Sequence, residues 1–371
     1  MGSIRTLLAL CIVVYHSYTI FGQRLTGGTV SVELFFLISG FYMALILNEK
    51  YKAGKGSYRL FITNRFLRIY PAYWVCLFLC VLLCVVGKIG WNEPFYLWYW
   101  TSTWDKMHWS AIVLFILANI FLLGSDWLIF SGINGKTGML ELTSAPVRYM
   151  PMSGQFLFIP QIWSVGVEIT FYLFAPFLLR RKWYWQVCLL TGSLLLRTFL
   201  YSTRFLYYDP WSYRFFPNEL AFFMAGSLAY QAYVYLKEKN ISQHFNVLLW
   251  SLVVVGIVFY PHINFVVESQ FRWYFYVFFW LSLPFIFLLT RKSRIDRLIG
   301  ELSYPIYISH HFIMFLWRKY FFSPAHSHNM PWFGIACVIS TLIFAWVLYA
   351  GVVVPIEKIR QKRLSLNPIA V

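Results

Sequence analysis

The chain is short of charge. Asp, Glu, Lys and Arg make up only 12% of its 371 residues, about half the share of an ordinary soluble domain, while 60% are apolar and 22% aromatic. A water-soluble globule is excluded. Acids are scarcer still, 14 against 31 Lys and Arg, for a net charge of +17. Cysteine is sparse and poorly spaced for chemistry. All six (Cys11, Cys76, Cys80, Cys84, Cys188 and Cys337) lie inside apolar runs, no CxxC occurs, and Cys76, Cys80 and Cys84 form a helix stripe of soft packing residues. A disulfide framework is excluded, and neither a metal site nor a tightly bound cofactor is expected. Repeats, low-complexity stretches and Pro/Ser-rich linkers are missing too, so a single domain over 1–371 is expected. The first apolar run carries Arg5 and His16 and no small-residue cleavage site follows it, which argues against a cleavable signal peptide.

What the chain has is apolar length. At about 20 residues per crossing, its runs divide into spans at 4–21, 30–47, 70–87, 160–179, 184–203, 215–236, 246–262, 272–290, 302–320 and 331–354. The expected fold class is all-α, a polytopic integral membrane protein of about ten transmembrane helices without a soluble domain. Basic residues cluster in the connections 50–68, 180–182, 291–297 and 358–363. Short basic loops beside apolar runs carry the positive-inside signature and touch anionic lipid, whereas nucleic acid would want a folded basic face. The lipid bilayer is therefore an expected partner and nucleic acid is not. Placing those loops inside puts both termini in the cytoplasm of a multi-pass cytoplasmic-membrane protein, with 357–371 a short tail. The segment 109–123, about 15 residues, is too short to cross. It is expected to be re-entrant or interfacial within an outside region, 88–159, whose Trp91, Trp98, Trp100, Trp104 and Trp109 suit an aromatic belt. The chain ends soon after the tenth span, so no appended soluble domain is expected.

An ionisable side chain near the bilayer centre costs about 2.5–3.5 kcal/mol to insert, which makes each one a functional suspect. Arg5 and His16 are eleven residues apart, and eleven steps of about 100° return to the same helix face after about 16 Å of rise. Arg5 is then expected at the inner mouth and His16 about halfway across. A snorkelling Arg and a hydrogen-bonded packing His would give the same pattern. Glu33, beyond Gly27-Gly28, is placed to hold a His16 imidazolium or fix its tautomer; alternatively it is a first-turn acid facing a helix dipole. Arg65 and Arg68, in the inside loop before Tyr70-Pro71, share a helix face. Two guanidinium forks there suit a pyrophosphate or nucleotide phosphate, and lipid headgroups equally. Glu168, several residues into the fourth run, is a proton carrier, a site acid or the partner of a buried Arg. Ser303, Tyr307 and His310 or His311 make a polar face on the ninth run, lining a cavity or reaching the outer interface.

Together these segments resemble membrane acyltransferase family 3, the bacterial O-acyltransferases of cell-surface glycans. The resemblance rests on Arg5-x10-His16, on Ser31-Val32-Glu33-Leu34-Phe35-Phe36-Leu37-Ile38-Ser39-Gly40-Phe41, and on Arg65-x-x-Arg68-Ile69-Tyr70-Pro71. It continues with Trp163-Ser164-x-x-x-Glu168 and Ser303-Tyr304-x-x-Tyr307-x-x-His310. It implies a ten-span core that takes an acyl group, most often acetyl, from cytoplasmic acyl-CoA and delivers it to a hydroxyl of an extracytoplasmic polysaccharide or glycolipid. Acetyl-CoA is then a donor substrate rather than a resident cofactor. The roles it implies are His16 as the catalytic residue with Arg5 as its partner, Glu33 and Glu168 in the catalytic set, and Arg5, Arg65 and Arg68 on the CoA phosphates. Trp163, Ser303, Tyr307 and His310 fall toward the acceptor. Glu33 stands where Asp is commoner, Ile169 and Thr170 follow Glu168 where another acid is usual, and Ser309 replaces an aromatic before His310. The extracytoplasmic hydrolase-like domain of some members is not expected. A transporter or flippase of a lipid-linked glycan would also use intramembrane charges and a polar path. The Arg pair separates the two, because a transporter needs no nucleotide-phosphate site on the inside alone.

Overall fold

The computed structural model describes residues 1–20, 22–54, 56–149, 151–203, 206, 208–267, 271–321 and 330–365; the last six residues of the expected tail and the Trp91 side chain fall outside these. In chain order the helices are α1 (Gly2–His16), α2 (Gly27–Glu49), α3 (Ser57–Trp91), α4 (Leu97–Thr103), α5 (Trp109–Phe121), α6 (Ser125–Leu128), α7 (Ile162–Leu178) and α8 (Trp183–Ser202). They continue with α9 (Phe216–Leu236), α10 (Gln243–Val267), α11 (Phe271–Thr290), α12 (Arg294–Glu301), α13 (Ser303–Phe321), α14 (Met330–Leu348) and α15 (Val354–Ser365). Each expected span lies on a helix. Five of the described helices are long and apolar enough to cross a membrane by length and composition: α2, α3, α10, α11 and the continuous rod from α14 through α15. Between α6 and α7 a two-stranded antiparallel hairpin, β1 (Ser131–Ile133) and β2 (Leu140–Leu142), pairs Ser131 with Leu142. The periodic apolar pattern of the long runs gave no sign of it.

Three departures from the expected spans bear on chemistry. α1 stops at His16 instead of continuing to residue 21. The Ser17 hydroxyl turns back to the Val13 carbonyl (2.8 Å) and the backbone leaves helical geometry there, at φ −90° and ψ −91°. Gly27, at φ +72°, then starts α2 from a conformation that side chains other than glycine rarely adopt. His16 thus ends a helix rather than sitting in the middle of one. Secondly, Arg65 and Arg68 lie on a helix and not in a loop: α3 begins at Ser57 and runs through Pro71 to Trp91. Thirdly, the basic tail is itself the helix α15, joined to α14 by a π-type turn at Tyr349–Val353. The segment α5, at 13 residues, rises only about 20 Å, short of the roughly 30 Å of hydrocarbon.

The chain sorts into two compact units, one of Met1–Arg68, Ala175–Leu190 and Phe222–Val371, the other of Ile69–Phe174 and Thr191–Ala221. In the first, α1 packs against α2, α12, α13 and α14. Asp296 on α12 caps the start of α1, accepting from the Gly2 N–H (2.7 Å), the Ser3 N–H (2.9 Å) and the Ser3 hydroxyl (2.7 Å). Gly2 is required there, since a Cβ would strike the Asp296 carbonyl. In the second unit a buried Asn119 ties α5 to the connection before α7. Its amide donates to the Phe115 (2.8 Å) and Phe156 (2.9 Å) carbonyls, and its oxygen accepts from the Phe158 N–H (3.0 Å). All its bonding capacity but one lone pair is used, the condition for burying such a group cheaply.

Candidate active site

Packing of α1 against α13 brings His16 to His310, 294 residues away in sequence. His310 Nε2 lies 3.1 Å from His16 Nδ1, and His310 Nδ1 lies 2.7 Å from the Tyr307 carbonyl. A carbonyl only accepts, so the proton of a neutral His310 sits on Nδ1 and its Nε2 is an acceptor. His16 must then donate from Nδ1, which leaves the lone pair on His16 Nε2. The chain Tyr307 carbonyl, His310, His16 therefore selects the tautomer of the His16 imidazole, as the acid of a hydrolytic triad does. The ring geometry supports it: the His16 and His310 rings are nearly parallel, at 16°, with centroids 5.1 Å apart. Tyr15 meets His16 edge-on at 5.2 Å and lies over Gly28, where a Cβ would collide with its ring. The Gly27-Gly28 pair thus seats the aromatic that flanks His16.

His311 completes a cluster, with its ring 4.9 Å from His16 and 4.6 Å from His310. The ligand nitrogens of the three lie within 4.8 Å of one another, so they could hold a metal ion. Sequence spacing suggests no such cluster, because its members come from the end of one helix and the middle of another.

One turn into α1, Arg5 lies over the Tyr42 ring at 5.8 Å. Arg68 Nη2 meets Glu301 Oε1 at 3.3 Å. Burial alone would raise the Glu301 carboxyl; the guanidiniums of Arg68 and Arg5 outweigh it and hold that carboxyl below the ordinary carboxylate range. Arg65 is buried, its guanidinium 5.9 Å from the Phe61 ring. Arg5 and Arg68, both expected on the donor phosphates, both lie within electrostatic reach of the acid Glu301. Glu301 is visible at the head of the ninth run, and the pairing is not, because 233 residues separate it from Arg68.

Glu33 is buried on α2 and accepts from the Tyr276 hydroxyl on α11, a partner that no local pattern indicates. The imidazole that engages His16 is His310, which sequence reasoning places toward an acceptor. Tyr307 packs its ring against Phe35 and lends its carbonyl to His310. The Ser303 hydroxyl donates to the Gly300 carbonyl (2.7 Å) and is buried, holding the joint between α12 and α13.

Trp163 and Glu168 belong to the second unit. Trp163 is buried with Arg214 4.7 Å from its ring, and Arg214 is forked onto Asp209 (2.8 and 2.9 Å). Glu168 accepts from the Tyr172 hydroxyl one turn along α7. Gly166, between them, packs on Ser125 and Asp126 without room for a side chain. Asp126, which no sequence signal picks out, is buried with Oδ1 lacking a hydrogen-bond partner among the described residues, and burial pushes its carboxyl up to about 6. The folded protein therefore keeps this proton at pH values where the unfolded chain, near 3.9, has lost it. Its burial costs nothing below about pH 4, an increasing amount between about 4 and 6, and a constant amount above. Asp126→Asn is expected to stabilise the protein by about 2–3 kcal/mol at pH 7 and not at all at pH 4, as read by thermal unfolding across pH. Parallel curves for the two proteins would refute this.

The chain matches the profile of a family described as an acyltransferase domain over residues 2–350. O-acetyltransferase OatA of Staphylococcus aureus strain NCTC 8325 is 25% identical over 391 residues, covering 99% of this chain and 58% of that protein. A provisionally named O-acetyltransferase of Staphylococcus aureus strain COL is 29% identical over 182 residues, 48% of this chain and 24% of that protein. The chain thus spans less than two thirds of the length of either relative. No solved structure matches it.

Proposed function

We propose a reaction from one premise: this chain belongs to the acyltransferase-3 family of membrane-associated acyltransferases. It is a membrane O-acyltransferase, in the first instance an O-acetyltransferase. It takes acetyl from acetyl-CoA at the cytoplasmic face and delivers it to a hydroxyl of an extracytoplasmic surface polysaccharide or glycolipid. The fold is a ten-span core in the cytoplasmic membrane with both termini inside. The names of the relatives support the acetyl group, and the basic connections support the orientation.

The observation that carries the chemistry is the hydrogen-bond chain from Tyr307 through His310 to His16 Nδ1, which sets the lone pair on His16 Nε2. That nitrogen takes the proton of the acceptor hydroxyl while its oxygen attacks the thioester carbonyl. The C–S bond then breaks, and the imidazolium returns the proton to the departing CoA sulfur. Product ester and CoA thiol balance the step, and His16 is unchanged. The thioester is already activated, so the protein supplies a base and positioning. Glu33, held by Tyr276, places a carboxyl group in the same unit. Tyr307 falls on the acceptor side. From Arg5 to His16 the intact α1 rises about 16 Å, a distance suited to threading the pantetheine arm while Arg5, Arg65 and Arg68 hold the phosphates.

Arg65→Ala and Arg68→Ala are each expected to weaken CoA binding by about 1.5–3 kcal/mol in calorimetry, the range for a hydrogen bond to a charged group. Lys should rescue only in part, since it lacks the fork. If both Ala variants bind CoA like the parent, the donor assignment fails.

A further inference from the structure

The basic tail is packed as a wall of the Arg65 and Arg68 site. Arg363 on α15 donates from Nη2 to Thr63 Oγ1 on α3 at 2.8 Å, which lays the tail helix beside the turn that carries Arg65. One turn back, Arg360 is only 5% exposed. Its Nη1 is paired with Glu357, while its Nε is buried without a hydrogen-bond partner among the described residues. Arg360 lies within electrostatic reach of Arg68 and Arg65, and Glu301 in turn feels Arg68, Arg5 and Arg360. Below them, Asn64 donates to the Tyr51 hydroxyl (3.1 Å) and leaves Oδ1 buried without a partner among the described residues. Arg180 donates to the Tyr51 carbonyl (2.6 Å).

Such packing is unfavourable as it stands. Arg360 feels two like charges from α3, Arg65 and Arg68, against the carboxylates Glu357 and Glu301, and like charges repel more strongly when buried, as Arg65 and Arg360 are. An unpaired buried N–H adds to the cost. A multiply charged oxyanion would relieve both, since guanidinium forks match phosphate oxygens in pairs. The nucleotide end of CoA carries a pyrophosphate and a 3′-phosphate, more charge than the two arginines of α3 alone can match.

We propose that α15 closes the donor-phosphate site and that Arg360 is a further guanidinium, beside Arg5, Arg65 and Arg68, on the phosphates of the acyl-CoA nucleotide. The proposal rests on the acyl-CoA reading of Arg65 and Arg68. The same chemistry would recognise a lipid phosphate, so the test separates the two. Purified full-length protein is assayed with acetyl-CoA and with acetyl-pantetheine, a thioester without phosphate, in detergent free of anionic lipid and again in phosphatidylglycerol vesicles. Arg360→Gln is expected to raise KM for acetyl-CoA roughly ten- to a hundred-fold in both settings and to leave acetyl-pantetheine turnover unchanged. Arg360→Lys, which keeps the charge and loses the fork, is expected between parent and Gln, and serves if the Gln variant does not fold. An equal loss with both donors would make Arg360 a packing residue and overturn the proposal. So would parent-like kinetics with both donors, or an effect confined to the anionic vesicles. A parent enzyme that uses acetyl-pantetheine as well as acetyl-CoA would instead overturn the underlying donor reading.

Discussion

His16→Ala is expected to lower acetyl transfer about 10²–10⁴-fold, the usual contribution of a general base, and to leave acyl-CoA binding near that of the parent. The separation follows from the length of α1. Arg5, assigned to the phosphates, lies near its start, and the imidazole ends its last turn, about 16 Å away. His310 acts through His16 and is a positioning residue. Removing it leaves His16 Nδ1–H without its acceptor, so the imidazole is no longer held with its lone pair on Nε2. His310→Ala should therefore lower kcat with little change in KM for acetyl-CoA, and His310→Gln, whose amide oxygen can accept from Nδ1–H, should recover part of the loss. A merely structural His310 would show the same defect in both variants. If His16→Ala transfers acetyl at the parent rate, His16 leaves the mechanism and Glu168 is the next base to test.

Glu219→Ala is expected to destabilise the protein by about 3–5 kcal/mol, enough to remove most folded protein. Arg197 on α8 and Glu219 on α9 pair at 3.2 Å with side chains only 3% and 0% exposed. Taking the carboxylate away breaks a buried ion pair and leaves the guanidinium buried without it. Replacing both partners by Met and Leu should restore much of the lost stability, because the charge is removed along with its partner. Folded yield and thermal unfolding in detergent check this, and a single variant within 1 kcal/mol of the parent would refute it.

Helices were legible wherever an apolar run was long, and the suspect residues were legible because a polar group inside such a run is costly. The partners of those residues were not. His16 with His310 and Glu33 with Tyr276 are joined by the packing of α1 on α13 and of α2 against α11, across 294 and 243 residues. Periodicity within a helix carries no information about its neighbour. Arg197 with Glu219 was within reach, as an unmatched base and acid in successive apolar runs. The end of α1 was hidden by composition: Tyr18 and Ile20 continue the apolar pattern, and only the turn of Ser17 onto Val13 reveals the stop. The basic stretch 50–68 reads as one loop, although from Ser57 onward it is the first turns of α3, which continues through Pro71. A proline within an apolar helix is tolerated when neighbours and small adjustments satisfy the freed carbonyl. Arg360 could be counted as a tail charge, but its burial depends on α15 folding back along α3.

The central claim is transfer of an acyl group from one face of the membrane to the other, and sided proteoliposomes test it directly. Purified protein is reconstituted, right-side-out and inside-out vesicles are separated, and labelled acetyl-CoA is supplied outside with the glycan acceptor sealed within. Labelled ester is expected inside only those vesicles whose outer face carries Arg65, Arg68 and the tail helix, with none formed by His16→Ala. Ester formed equally in both orientations, or only when donor and acceptor share a compartment, would contradict the account.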